Sequence, residues 1–246
     1  MGVHRFASVE ALLGDMGWIT AKTRHKILIM KYWNHLCELP ETRLTRKIFN
    51  WDRLYANSKG TWSNAARQIL NEIQQSELFD GVMPCNIEYT KNRLYAIDQN
   101  EWETKRYKSE KLRYYNLYKY EKNTEDYLSL DITKYQRSIF AQFRCGILPL
   151  EIEVGRYRDI ALPHRICQVC NEAVEDEIHF LLECPAYATP RSKLFEKANV
   201  IENSFSTLNE FEKFTILVSN LQKPVIKYLT SSLAIRTELL TVSNSD

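Results

Sequence analysis

The stretch Cys167-Gln-Val-Cys170-Asn-Glu-Ala-Val-Glu-Asp-Glu-Ile-His179-Phe-Leu-Leu-Glu-Cys184 decides how the rest of the chain is read. Three of the six cysteines and one of the five histidines fall within it, at the spacing C-x2-C-x8-H-x4-C. Cys167, Cys170, His179 and Cys184 form a Cys3His set suited to one tetrahedral Zn2+. A tight turn between Cys167 and Cys170 points two thiolates into one space, and a facing element must supply the other two ligands. Glu175-Asp176-Glu177, followed by Ile178, Leu181 and Leu182, reads as a short helix with acids in its first turn. On a regular α-helix His179 and Cys184 would stand about 140° apart. The helix is therefore expected to end near Glu183, ahead of Pro185, with Cys184 swinging back from the exit turn. Four protein ligands leave no position for water, so such a zinc is structural.

Working outward, 246 residues suffice for one or two domains with a full core. A hydrophobic fraction of 44% and a charged fraction of 26% are those of a soluble globular protein. Seven Gly and seven Pro are few for a turn-rich fold and favour helices. No apolar run approaches the ~18 residues of a membrane span. The N-terminus lacks the apolar core of a secretory signal. An intracellular location is expected, with Cys37, Cys85 and Cys145 as free thiols. Net charge is +2. It is uneven: residues 1–60 carry 10 Lys/Arg against five acids, and residues 148–246 carry 10 against 14.

Helical periodicity appears first at Phe6, Val9, Leu12 and Leu13, with Gly14-Asp15-Met16-Gly17 expected to interrupt it. Thr20 caps a helix from Ala21 to about Leu39, and Thr42 caps one carrying Leu44, Ile48, Phe49, Trp51 and Leu54. Another runs from Trp62 to Ile73. Thr133 begins a helix ending before Gly146, and residues 147–157 read as short extended pieces. Beyond Cys184, helices are expected over Pro190–Ala198, Thr207–Ser219 and Pro224–Leu240. Thr207 and Glu210 form the capping box of the second, and Pro224 stands first in the third. The tail from Ser243 to Asp246 is expected to fray.

Residues 91–122 hold nine Lys/Arg, six Tyr and one Trp against five acids. Basic side chains pair with phosphates and interleaved aromatics stack on bases. Lys105, Arg106, Lys108, Lys111 and Arg113, with Tyr107 and Tyr114 for stacking, are thus the candidate nucleic-acid residues. The competing reading is a long amphipathic helix in which Leu94, Trp102, Leu112, Tyr115 and Tyr118 pack inward and the charges are merely solvated. Glu172, Glu175, Asp176, Glu177 and Glu183 make the zinc stretch acidic, so nucleic acid is expected on the helices preceding it. No phosphate-cradling loop, dinucleotide fingerprint or nucleophile elbow occurs. No Asp-Asp pair is present to hold two polymerase metals, since Gln99 follows Asp98 in Tyr95-Ala96-Ile97-Asp98. No enzymatic activity is expected.

Two segments resemble a known family: Gln136-Arg137-Ser138-Ile139-Phe140-Ala141-Gln142-Phe143-Arg144-Cys145-Gly146-Ile147-Leu148-Pro149, continuing to Tyr157, and the cysteine stretch from Ile166 to Pro185. Together they are similar to the region C-terminal to the polymerase domain in reverse transcriptases of non-LTR (LINE-type) retrotransposons. Gly2-Val3-His4-Arg5-Phe6, Gly14-Asp15-Met16-Gly17-Trp18 and Tyr32-Trp33-Asn34 resemble thumb-side and linker segments of those polyproteins. The resemblance extends to about Tyr187. It implies that Cys167, Cys170, His179 and Cys184 are zinc ligands, and that RNA or target DNA is engaged for a polymerase. The polymerase palm and any endonuclease are missing from the sequence, so the chain looks like a remnant or fragment of such an element.

The expected fold is mainly α, a helical bundle-like arrangement with a small Cys3His zinc knuckle. Residues 1–126 form a thumb/linker-like helical region, and residues 127–246 a zinc-binding module with C-terminal helices. The expected function is non-catalytic binding of RNA or single-stranded DNA, stabilised by one structural Zn2+. Neither a membrane nor a small-molecule substrate is implied. The alternative is a structural or protein-interaction remnant that docks a polymerase domain and binds no nucleic acid.

Overall fold

Side chains that cap helix starts set much of the secondary structure. In the computed structural model, Thr20 accepts the Thr23 N–H at the head of α2 (Ala21–Glu38), and Thr61 accepts that of Asn64 at the head of α4 (Trp62–Glu72). Between them α3 (Leu44–Leu54) begins after Arg43, without the expected Thr42 cap. Thr133 and Gln136 close a capping box on α7 (Lys134–Arg144). The structure describes residues 2–3 and 7–243. The expectations for residues 4–6, Phe6 included, and for the tail from 244 onward lie outside these.

Helices dominate, and no strand occurs among the described residues beyond one antiparallel bridge, Ile166 to Val174. The chain divides into two compact units, residues 19–103 and residues 1–18 with 104–246. The boundary expected at 126/127 lies inside the second of these. In the unit of residues 19–103, α2, α3 and α4 pack on Met30, Trp33, Phe49, Ile69 and Leu70. Asp98, on α6 (Ile87–Lys108), accepts the hydroxyls of Thr20 and Thr23 and so secures the head of α2.

In the other unit α1 (Val9–Met16) runs straight through Gly14-Asp15-Met16, where an interruption was expected, and stops at Gly17, φ 64°. A Cβ at Gly17 would meet the Thr124 nitrogen at 2.7 Å, so only glycine allows this approach. The segment expected to be extended contains α8 (Glu151–Tyr157), because the Glu151 N–H is held by the Glu175 carboxylate at 2.8 Å. After the cysteine stretch follow α9 (Ala188–Ile201), α10 (Glu210–Asn220) and α11 (Gln222–Ser243). The capping box of α10 is Asn209 with Glu212, two residues later than expected. Pro224 falls in the first turn of α11 but third in it. Helix α11 packs against α7, α9 and α10 around Phe140, Phe180, Leu217, Val225 and Leu229.

A buried charge network explains why residues 1–18 belong with the C-terminal part. Arg144 sends Nε and Nη2 to the two oxygens of Asp15, each at 2.8 Å. Tyr115 and Tyr127 donate hydroxyls to the same carboxylate at 2.9 and 3.0 Å. Glu125 lies 3.0 Å from Arg144 and also pairs with Lys119. Two cations thus balance two anions. Burial and then the Asp15 carboxylate push both phenols far above their usual range, which keeps them donors. Burial alone would lower the Arg144 pKa, but the charge and hydrogen bonds of Asp15, with Tyr118 and Glu125, together outweigh it and raise it.

Removing one member of a buried pair costs ~3–5 kcal/mol because the other charge is left unpaired. Arg144→Met should destabilise this unit by that amount, and adding Asp15→Asn should return part of the loss. Urea titration followed at separate probes in each unit measures both; equal stability of wild type and Arg144→Met would show that the network contributes nothing.

Candidate metal centre

Backbone bonds fold the cysteine turn before any ligand is considered. The Ile166–Val174 bridge forms the base of a hairpin, in which Cys167 donates its N–H to Ala173 O and Asn171 donates to Cys167 O, both at 2.8 Å. Asn171 sits at φ 59°, a left-handed conformation that asparagine tolerates better than most residues. Arg165, just before the hairpin, ties it down by donating to Ile160 O and Ile152 O at 2.9 Å.

The facing element solves the spacing problem with a wide turn. Residues His179–Glu183 are π-helical, and the Cys184 N–H reaches back five residues to His179 O at 2.8 Å. Such i→i+5 winding stacks residue i+5 over residue i, which α-winding does not. The helix ends at Glu183, as expected, and Cys184 leaves at φ −48°, ψ 121°. The π-turn itself was not anticipated, because a single widened turn leaves no periodic signal.

The result is a closed group of four donors. One ligand atom from each of Cys167, Cys170, His179 and Cys184 lies within 4.8 Å of the others, and the group could hold one metal ion. Cys170 Sγ is 3.3 Å from His179 Nε2, and Cys167 Sγ is 4.0 Å from Cys184 Sγ. A tetrahedral ion with ligand bonds of ~2.0–2.3 Å needs donor separations of ~3.5–3.8 Å, so the donor set fits with little movement. Cys167, His179 and Cys184 are buried and Cys170 is partly exposed. The other imidazole nitrogen, Nδ1, lies 3.4 Å from the Glu183 carboxylate, which favours Nε2 as the metal donor. Without an ion, burial first of all pushes the Cys167 and Cys184 thiols above their usual range. A cation that binds here must displace those protons.

The acids around the ligands are internal struts rather than an acidic surface. Glu175 is fully buried, accepts Arg236 at 2.6 Å, and holds its other oxygen 3.6 Å from Cys167 Sγ. Glu177 is bound by Arg113 at 2.7 Å; burial raises its pKa and the guanidinium opposes that rise. Asp176 caps the His179 N–H at 2.8 Å and accepts the Tyr114 hydroxyl. Of the five, only Glu172 and Glu183 are exposed.

These pairings also place the candidate nucleic-acid residues. Arg113 and Tyr114 are held by Glu177 and Asp176, Lys111 pairs with Glu153 at 2.6 Å, and Arg106 is buried. Lys105, Tyr107 and Lys108 are exposed. The long amphipathic helix of the competing reading ends at Lys108, followed by single turns at Glu110–Leu112 and Tyr115–Leu117. Leu94, Trp102, Leu112 and Tyr115 are buried. A further basic edge escaped the sequence reading: Lys193, Lys197 and Lys227 are exposed around a cleft of ≈ 410 Å³ between α9 and α11. Among the described residues that line it there is no carboxylate. Two helices far apart in sequence form it, so no local run of charge marks it.

No helix among the described residues is long and apolar enough to cross a membrane. No protein-family model, curated protein or solved structure matches the chain.

Metal removal should loosen residues 150–190 while residues 19–103 keep their protection, since no ligand lies in that unit. Hydrogen exchange with and without chelator, and on Cys167→Ser, reads this directly; unchanged exchange through the cysteine stretch would contradict it. Binding should release protons and weaken as pH falls, because protons compete for three thiols and an imidazole.

Proposed function

We propose that this chain is a non-catalytic nucleic-acid-binding module stapled by one structural Zn2+, of the kind found after the polymerase domain in retrotransposon reverse transcriptases. The observation that carries the metal part is the closed Cys3His group, with all four donors within 4.8 Å. Thiolate-rich tetrahedral sites favour zinc over the oxygen-seeking divalent ions. With Cys167, Cys170, His179 and Cys184 in place the coordination is complete, and zinc would supply folding energy rather than a reactive water.

Support for the nucleic-acid part comes from the exposed cations of the same unit: Lys105 and Lys108 beside Tyr107, and Lys193, Lys197 and Lys227 around the α9–α11 cleft. Such side chains contact phosphates without reading sequence, and Tyr107 offers a stacking face. A non-catalytic role is supported by Asp98. This near-match to a polymerase carboxylate is consumed in securing α2.

Labelled single-stranded RNA titrated with zinc-loaded protein should bind at low salt and weaken as salt rises. Neutralising Lys193, Lys197 and Lys227, or Lys105 and Lys108, should lower affinity and reduce the salt slope by about one for each phosphate that is no longer neutralised. Absence of binding at low salt would leave a protein-docking role in its place.

A further inference from the structure

Helix α3 is amphipathic with its faces exchanged. Its inward side carries Arg46, Phe49 and Arg53: Arg46 donates to Leu36 O at 2.7 Å, and Arg53 donates to Phe79 O at 2.9 Å while lying over the Phe49 ring. Its outward side carries Leu44 at 72% exposure, Ile48 at 55%, Trp51 at 61%, Leu54 at 77% and, at the helix end, Tyr55 at 49%. At ~100° per residue, Leu44, Ile48, Trp51 and Tyr55 fall within about 60° of one another. The inner face already satisfies the core, so this apolar stripe has no partner within its own unit. Scattered exposed apolar residues need no explanation, but a continuous stripe on one helix marks an interaction site.

We propose that the stripe is an interface between two copies of this chain, with their α3 helices side by side and parallel. The spacing from Leu44 to Ile48, Trp51 and Tyr55 is four, three and four, the d-a-d-a seam of a two-stranded coiled coil. Within a parallel coiled coil, Ile at a with Leu at d favours two strands over three or four. The flanking residues fix the direction. Lys47 and Asp52 stand at g and the following e, where each lysine meets the aspartate of the other copy when the helices run parallel. A two-fold axis forms that ion pair twice. In an antiparallel pair Lys47 would instead lie beside Leu54. Asp52 gives one oxygen to the Ser63 N–H at 2.9 Å and keeps the other for the lysine. With aromatic rings of ~150–250 Å² each, the five side chains expose on the order of 500 Å² per helix, so two copies reach the ~1,000 Å² of a weak specific interface.

Sedimentation of the full zinc-loaded chain tests this across a dilution series. The expected mass is twice 29.0 kDa at micromolar concentration, falling to 29.0 kDa on dilution. Trp51→Glu and Ile48→Glu alter exposed side chains, so both should fold normally and remain monomeric. Lys47→Glu should weaken the dimer several-fold at low salt and recover as salt screens the repulsion. Parallel register places each a residue against its own copy, so Ile48→Cys should oxidise to a covalent dimer while the wild-type chain does not. A chain that stays monomeric throughout, leaving the stripe to an unlike partner, overturns the proposal. So does a dimer indifferent to Trp51→Glu, or one in which Ile48→Cys fails to cross-link.

Discussion

Three thiols and an imidazole converge in a largely apolar interior, and the unit around them depends on that convergence. A buried thiol is a poor metal ligand until it loses its proton, and a buried thiolate is costly until a cation meets it. The two costs cancel when one divalent ion binds all four groups at once. What the chain must supply is geometry. It does so with a short hairpin closed by the Ile166–Val174 bridge and a π-turn that sets Cys184 over His179. Neither element is long enough to be stable alone. The surrounding packing holds them, and an ion bound by the four donors would add to it.

The carboxylates that follow Val174 connect this centre to the rest of the unit. Glu175 links the Cys167 hairpin to the start of α8 and to Arg236 on α11. Asp176 and Glu177 reach Tyr114 and Arg113 in the segment after α6. The Asp15–Arg144 pair then joins α1 to α7, and Tyr115 and Tyr127 saturate the same carboxylate. The Cys3His group, the carboxylate struts and the buried ion pair form successive layers of one polar framework inside an apolar core. On the outer surface of the unit, exposed lysines such as Lys193, Lys197 and Lys227 stand among exposed acids such as Glu172, Glu183 and Glu196.

The sequence made the candidate metal ligands and most helices legible for a definite reason. Ligand spacing and capping chemistry are local, so Cys167, Cys170, His179 and Cys184 converge and Thr20 and Thr133 start their helices as their types predict, although Arg43 and Asn209 stand where Thr42 and Thr207 were expected to cap. Pairings between distant residues leave no local trace. Asp15 reads as a turn residue beside two glycines until Arg144, more than a hundred positions away, is set against it. Arg113 and Tyr114 read as nucleic-acid contacts until Glu177 and Asp176 engage them. The exchanged faces of α3 were hidden similarly: an apolar stripe at helical spacing is ordinarily taken for core, and only Phe49 of that set is buried.

Cobalt substitution of the metal centre tests the central claim most directly. Co2+ bound by three thiolates and one imidazole in a tetrahedron gives intense visible bands and strong sulfur-to-cobalt charge transfer. The account predicts one such ion per chain, displaced by zinc, with the charge-transfer intensity reduced in Cys170→Ser. Pale, octahedral cobalt, or a full-intensity spectrum in Cys170→Ser, would contradict it.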